Sequence, residues 1–300
     1  MKGRVINMNN YIALDIGGTA IKYGIYNDNY EEISSGKVAT IADPAEFLEQ
    51  IITLVDELRN QFDVVGVAIS IGGFIDPITG KNSDHTVGIN FKSFNLKKEI
   101  TECLGLTTEI ENDANCAAIA EYATGAGVGI KDICVMTVGT GIGGALIADG
   151  KLWRGSKFRA GEFGLMYINH RLEASEEKFS SASATATLVR RVTDALGKVV
   201  DGEYIFANLD DAVIAPIYDL WVWELAMTAV SVMVCFDPEL LLVGGGVSNQ
   251  EIFIDDLTKK IHTLQPYLKD IPIKACALKN DAGKIGAVYH FKEMQGLLGE

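Results

Sequence analysis

Two glycine-threonine runs carry the residue types that could grip a phosphate: Asp15-Ile16-Gly17-Gly18-Thr19 near the start of the chain and Thr137-Val138-Gly139-Thr140-Gly141-Ile142-Gly143-Gly144 near its middle. Backbone N–H groups crowd onto an anion only where no Cβ intervenes, and glycine also reaches positive φ. The threonine hydroxyls add donors. Each run is entered from an apolar stretch, 11–14 or 133–136, and left through another, 20–26 or 145–147, so each reads as a hairpin. The P-loop signature is absent, and the literal G-x-G-x-x-G of Gly139, Gly141 and Gly144 runs into a short strand rather than opening a helix. A plain tight hairpin would account for either run alone. Their recurrence about 120 residues apart implies two similar lobes with a cleft between them.

Two further clusters could supply acid–base and sugar-binding groups. In Ile110-Glu111-Asn112-Asp113-Ala114-Asn115-Cys116, polar side chains lie between a buried strand and an alanine-rich helix. Asn112 or Asp113 would cap that helix. A carboxylate at a strand end facing a cleft would equally take the proton from an attacking alcohol in phosphoryl transfer. In Phe158-Arg159-Ala160-Gly161-Glu162-Phe163-Gly164, Glu162 is either solvated surface or an acceptor for two sugar hydroxyls, its flanking glycines permitting a ligand's close approach.

The elements that must position these groups follow from periodicity. A helix is predicted over 44–62, with Asp43 at its start and Phe47, Ile51, Leu54, Val55 and Leu58 on one face. A buried strand over 64–71 ends in Gly72-Gly73, and Pro77 and Gly80 mark turns after it. A strand over 106–111 leads into a helix over 114–123, and 125–129 is the candidate hinge. Helices over 185–196 and 217–235 follow, then a strand over 240–243 stopped by Gly244-Gly245-Gly246. A final helix, 283–297, would cross back onto the first lobe. The predicted division is 1–123 with 284–300 packed on it, and 124–283.

Composition narrows the function class. At 300 residues, with 48% hydrophobic and 22% charged, the chain can bury two cores of a soluble α/β protein. A net charge of −14 works against a nucleic-acid partner. No apolar run reaches the roughly 18 residues of a membrane helix, and residues 1–10 lack a signal-peptide core, so no membrane partner is expected and the cytoplasm is the default. Five cysteines without a C-x-x-C pair indicate neither a disulfide framework nor a zinc knuckle; small core residues are expected.

Taken in order, Asp15-Ile16-Gly17-Gly18-Thr19, Glu111-Asn112-Asp113-Ala114-Asn115, residues 138–144, Ala160-Gly161-Glu162-Phe163-Gly164 and Gly244-Gly245-Gly246 resemble the motifs of the ROK sugar kinases across nearly the whole chain. Within that family the resemblance is to bacterial β-glucoside kinases, carried by 110–116, 158–166, Glu203-Tyr204-Ile205-Phe206-Ala207-Asn208, 280–283 and 286–291. It implies an α/β, two-lobed actin-like ATPase (ribonuclease H-like) fold with an interlobe cleft, ATP as donor, Mg²⁺, and a sugar 6-hydroxyl as acceptor. It also implies Asp113 as the base, with Asn112 beside it on the sugar, and Gly73, Asn90 and Glu162 as sugar contacts. Asp15 would hold Mg²⁺ through water. Gly17, Gly18, Thr19, Lys22, Thr140, Gly141, Gly143 and Gly144 would bind the ATP phosphates, and Gly244, Gly245 and Gly246 the adenosine side.

One departure stands out. The family's histidine three residues after the sugar-binding glutamate is Leu165 here, and 172–183 contains no cysteine, so no structural zinc of the family type is expected. His170 reads as surface. The gap at Leu165 would admit a bulky aglycone, in keeping with a β-glucoside; glucose, mannose and N-acetylmannosamine remain alternative acceptors. The non-enzymatic alternative, a sugar-responsive regulator of the same family, needs a helix-turn-helix before the first turn, and 14 residues are too few. The family usually forms homodimers, and the apolar segment Trp221-Val222-Trp223-Glu224-Leu225 would serve an interface or the core.

Overall fold

The first apolar stretches pair antiparallel as β1 (Asn10–Ile16) and β2 (Ala20–Asn27), with Ile16 opposite Ile21 across the 17–19 turn. In the computed structural model, which describes residues 8–83, 94–168 and 180–298, β2 continues antiparallel into β3 (Glu32–Ala39). Then β4 (Gly66–Ile71) joins β1 in parallel, and a short ribbon of β5 (Ile75–Asp76) and β6 (Lys81–Asn82) follows it. Finally β7 (Thr107–Asn112) pairs parallel with β4, completing the order β3-β2-β1-β4-β7.

Helix α1 (Pro44–Gln61) starts where Asp43 accepts from the N–H groups of Ala45 and Glu46 and Pro44 occupies the first turn. Its stripe of Phe47, Ile51, Leu54, Val55 and Leu58 is buried against Ile12, Leu14 and Ile16 of β1 and Val67, Ile69 and Ile71 of β4. Helix α2 (Leu96–Leu104), capped by Asn95 and ended by Gly105 at φ 66°, adds Leu96 and Ile100 to that core. Helix α3 (Asp113–Thr124) leaves the end of β7 directly.

The second sheet repeats the plan. β8 (Ile133–Val138), β9 (Ile142–Ala148) and β10 (Lys151–Leu152) form an antiparallel meander, and β11 (Leu240–Gly244) and β12 (Ile273–Ala275) add in parallel, in the order β10-β9-β8-β11-β12. In chain order that is the same arrangement as in the first sheet. Both glycine-threonine runs are therefore the turns of equivalent hairpins.

Helices α4 (Thr185–Leu196), α5 (Gly202–Ala207), α6 (Ile214–Phe236) and α7 (Glu251–Leu264) build the core over this sheet. By length and composition α6 is apolar enough to cross a membrane, at mean hydropathy 1.5, which corrects the expectation that no such segment exists. Asp219 and Glu224 interrupt the run of apolar letters without lowering its average below that mark. Its apolarity is explained by packing: Trp221, Val222, Leu225, Ala226, Ala229 and Met233 are buried, and the Trp221 indole donates to Ser183 O at 2.6 Å. The 221–225 segment is thus mainly core.

The chain divides into two units. One comprises Met1–Ala120, Ser156–Phe158 and Asn280–Glu300, and the other Glu121–Gly155 and Arg159–Lys279. Helix α8 (Ala282–Met294) belongs to the first, packing on β1, β4 and β7 with Phe291 edge-on to Tyr11. The 125–129 segment is held within the second, where buried Glu121 accepts from the N–H groups of Ala126 and Leu278. Cys116 and Cys134 are buried, but Cys103 and Cys235 are exposed in the last turns of α2 and α6, so the core reading fails for those two.

Candidate active site

In the first unit, strand register brings Asp15, Ser70 and Glu111 into one row across β1, β4 and β7. These strands are parallel, so their C-terminal ends share one edge, where open α/β sheets take ligands. Ser70 Oγ donates to Asp15 Oδ1 at 2.9 Å, and Lys22, opposite Asp15 on β2, lies 3.7 Å from Oδ2. Helix α8 passes over this carboxylate with Gly283: a Cβ there would stand 2.7 Å from Asp15 Oδ1.

At the end of β7, buried Glu111 accepts from Asn112 N–H at 2.7 Å and Asn115 Nδ2 at 2.9 Å. Asn112 caps α3, accepting Asn115 N–H at 3.0 Å, and its Nδ2 donates to Gly73 O at 3.0 Å. Gly73 sits at φ 115°, and a Cβ on it would collide with the Asn82 amide, which itself donates to Gly72 O at 3.1 Å. Glycine is obligatory there on both counts.

Asp113 is exposed in the first turn of α3, one oxygen accepting Ala114 N–H at 2.8 Å. The cap is therefore mainly Asn112, and the neighbouring carboxylate keeps an open face. Dense protein around that carboxylate withholds part of the solvation of its charge and pushes its pKa up; the Ala114 N–H opposes this and the charge of Asp15 adds to it. Cys116 is driven up by burial and by Glu111 and Asp15, which leaves it a neutral thiol.

The first turn closes on itself through Gly17 N–H to Ala20 O at 3.0 Å, and the second through Gly139 N–H to Gly141 O at 2.9 Å. At Gly18, Gly139 and Gly141 an added Cβ would meet nothing within 4 Å, and none of the three has positive φ. Neither packing nor backbone strain demands glycine at these positions.

Other glycines of the second unit have a different cause. A Cβ on Gly144 would strike the Phe163 ring and crowd Gly161 O, one on Gly161 would strike Gly144 O, and one on Gly164 would strike Ile142 O. The glycines framing Glu162 thus seat its loop on β9. Glu162 is half-buried just before a short 3₁₀ turn, Phe163–Leu165, and Leu165 is 56% exposed.

A cavity of about 770 Å³ opens beside the second turn, lined in part by Gly139, Thr140, Thr185, Phe206, Gly246 and Asn249. Of the expected adenosine-side glycines, only Gly246 lines it. Gly244 ends β11, and Gly245, at φ 90°, lies against Val138 O. Gly143 and Gly144 lie within β9.

The first unit therefore gathers Asp15, Lys22, Gly73, Asn112 and Asp113 around the ends of its parallel strands, while Glu162 and Thr140 belong to the second. Asn90 and His170 lie outside the described residues, as do most of 172–183. Sequence reasoning missed Ser70, Asn115 and Gly283 around Asp15 and Asn112, and Thr185, Asp201, Glu203 and Asn249 at the cavity. Asp201-Gly202-Glu203, a polar step between two helical patterns, was the available signal.

Comparison with known proteins covers the whole of this architecture. The model of the ROK family matches residues 11–294. A β-glucoside kinase of Listeria innocua is 36% identical over 93% of this chain and 96% of its own length. A solved structure from Listeria monocytogenes, described as a candidate N-acetylmannosamine kinase, superposes with a TM-score of 0.88 at 34% identity, covering 95% of this chain and 99% of the other. A ROK family glucokinase from Streptomyces griseus, solved with glucose and AMPPNP, gives 0.78 at 27% identity, covering 94% and 98%.

Proposed function

From the premise that this chain belongs to the ROK family and has its two-lobed actin-like ATPase fold, we propose that it is an ATP-dependent carbohydrate kinase that phosphorylates the 6-hydroxyl of a β-glucoside. The observation that carries the residue assignment is the strand-end row: Asp113 and Asn112 at the end of β7 share an edge with Asp15 at the end of β1, beside a turn whose Gly18 is open to a ligand.

Asp113 accepts the proton of the 6-hydroxyl as that oxygen attacks the γ-phosphate in line, while the bond from the γ-phosphorus to the β–γ bridging oxygen breaks and ADP leaves. Its raised pKa suits a base that must hold a proton as it leaves the alcohol. Asn112, fixed by Gly73 and Asn115, and Glu162, on its loop against β9, bind sugar hydroxyls. Because the N–H groups of Gly17 and Gly139 are spent inside their turns, donors to phosphate fall to Gly18 and Thr19 in one turn and Thr140 and Gly141 in the other. The adenosine takes the cavity beside Gly246.

Asp15 fits a hydrated Mg²⁺. Its carboxylate is steadied by Ser70 and Lys22, and Mg²⁺ commonly uses one carboxylate plus waters and substrate phosphates. Among the described residues no cluster of three acidic, histidine or cysteine side chains offers a closed cage. When bound with ATP, the ion would neutralise charge on the phosphates.

Two assignments concern setting. The chain acts in the cytoplasm, where ATP is at hand and its five cysteines stay unpaired. It acts as a homodimer through the outer face of α6, where Leu220 and Val234 are exposed and Trp223 and Met227 half-buried at helical spacing. Light scattering on the purified protein should give twice the chain mass of 32.4 kDa.

Support for a β-glucoside over a free hexose comes from the nearer match to a β-glucoside kinase, 36% against 27% for the glucokinase, and from Leu165, which puts no polar group after Glu162. A coupled ADP-release assay over cellobiose, aryl β-glucosides, glucose, mannose and N-acetylmannosamine tests the reading. Highest kcat/KM on a β-glucoside is expected. Turnover confined to glucose, mannose or N-acetylmannosamine would overturn the acceptor, and no sugar-dependent ADP release at all would overturn the kinase.

A further inference from the structure

A threonine from outside each glycine run stands behind each turn. In the first unit Thr40, just past β3, donates its hydroxyl to Gly17 O at 2.7 Å and its backbone N–H to Thr19 O at 3.1 Å. In the second, Thr185 at the start of α4 donates its N–H to Gly139 O at 2.9 Å, its hydroxyl lying 3.5 Å from Val138 O. The two threonines come from unrelated elements, the end of a strand and the start of a helix. Both reach the carbonyls of equivalent turns.

The consequence follows from peptide geometry. In a trans peptide the C=O and the N–H of the next residue point in opposite directions. Holding Gly17 O toward Thr40 therefore turns the Gly18 N–H away from Thr40, and holding Gly139 O toward Thr185 turns the Thr140 N–H away from Thr185. Those N–H groups are among the donors left once Gly17 and Gly139 have closed their turns. Glycine-rich backbone resists such reorientation weakly, because nothing on Cα restricts it. An anchored carbonyl supplies the missing restraint and pre-organises the donor.

We infer that Thr40 and Thr185 are positioning residues that aim the Gly18 and Thr140 amides at the phosphates of ATP. This rests on the reading of the two turns as phosphate sites and adds the device that orients them.

Replacement of each anchor tests it. Thr40→Val removes one hydroxyl donor and keeps shape and backbone, and Thr40→Ser restores the donor. Thr185→Pro removes the N–H at a place proline accepts: Thr185 is the first residue of α4, and Ala184 before it has φ −63° and ψ 157°, the extended conformation that precedes proline. Thr185→Ala keeps the N–H and isolates the side chain.

The measurements are the Kd for AMPPNP by calorimetry and the KM values for ATP and sugar, with melting temperature as the check on folding. Loss of one net hydrogen bond predicts about a threefold to tenfold weaker Kd for AMPPNP and the same rise in KM for ATP in Thr40→Val and Thr185→Pro, with sugar KM unmoved. Thr40→Ser should recover most of the loss, and Thr185→Ala should lose less than Thr185→Pro. AMPPNP binding within twofold of the parent in both Thr40→Val and Thr185→Pro would overturn the inference, as would equal losses for ATP and sugar. If Thr185→Pro fails to fold, the Thr40 pair decides. A parent that binds AMPPNP but phosphorylates no sugar would sink the kinase reading and leave the anchor test intact.

Discussion

Ser70 and Asp15 face each other in register on parallel strands, joined by a 2.9 Å hydrogen bond, and α8 passes over both at Gly283. A methyl at 283 would stand 2.7 Å from Asp15 Oδ1 and 3.2 Å from Ser70 Oγ. Alanine is the better helix former by up to about 1 kcal/mol, which offsets part of the cost of pushing the carboxylate aside, so Gly283→Ala should still fold with at most a modest fall in melting temperature. Activity should fall about tenfold, and the Mg²⁺ concentration for half-maximal rate should rise, because the displaced carboxylate is the one assigned to the hydrated ion. A magnesium titration beside a thermal melt separates these outcomes.

Asp113→Asn should lower kcat by at least about 10²-fold, the scale of a lost general base, in a protein that melts as before. The pH profile offers a second check. The base must be ionised, and its pKa is raised, chiefly because surrounding protein desolvates the carboxylate. The acid limb of kcat/KM should therefore lie above the pH of about 3.9 that an ordinary aspartate would give. That limb should vanish from the residual activity of Asp113→Asn.

Gly18 and Gly144 belong to similar-looking runs but should fail differently. Gly18→Ala meets no protein atom and should fold with unchanged or slightly higher stability, while KM for ATP rises as the methyl blocks a phosphate. Gly144→Ala drives a methyl into the Phe163 ring and should cost at least about 2 kcal/mol in urea unfolding. Urea midpoints and ATP kinetics on both variants distinguish a ligand glycine from a packing glycine.

That contrast also marks how far the sequence was legible. Both hairpins, α1 with its Asp43 cap, α4 to the residue and the strand preceding Gly244 followed from periodicity and capping, which act locally. β3 was not legible: it is an edge strand with no residue fully buried, so its apolar alternation is weak. α2, only nine residues long, was missed as well. Within the site, Asp15, Asn112 and Asp113 carry motif signals, whereas Ser70 and Gly283 matter only because register and helix packing bring them to Asp15 from 55 and 268 positions away in the chain. The run at 139–144 hid two roles, since its first glycines stay open and its last supports Phe163.

Glu32 and Lys284 tie β3 to α8 with a 2.8 Å ion pair that should make stability pH-dependent. Burial alone would raise the Glu32 pKa, but hydrogen bonds from Lys284, Ser35 and Tyr26 outweigh it and bring it down to about 2. A carboxyl lowered on folding contributes stability above its unfolded pKa of about 4.3 and loses it as pH falls toward 2. Glu32→Gln should therefore be less stable than the parent at pH 7 and 5, with the gap narrowing near pH 3. Urea midpoints at the three pH values give the comparison.

Leu165 offers the sharpest handle on the acceptor. It closes the 3₁₀ turn that begins one residue after Glu162, and it is 56% exposed, so its side chain is not needed for the core. An apolar side chain there makes no hydrogen bond to a free anomeric hydroxyl and favours contact with an aglycone, whose burial is worth roughly 25 cal/mol per Å². Leu165→His supplies a donor and removes apolar surface. It should lower kcat/KM for an aryl β-glucoside by about fivefold to tenfold and raise that for glucose, with KM for ATP unchanged, since the change touches no phosphate turn. Parallel kinetics on the two sugars read the ratio directly. A ratio that does not move would show that position 165 lies away from the anomeric side of the bound sugar.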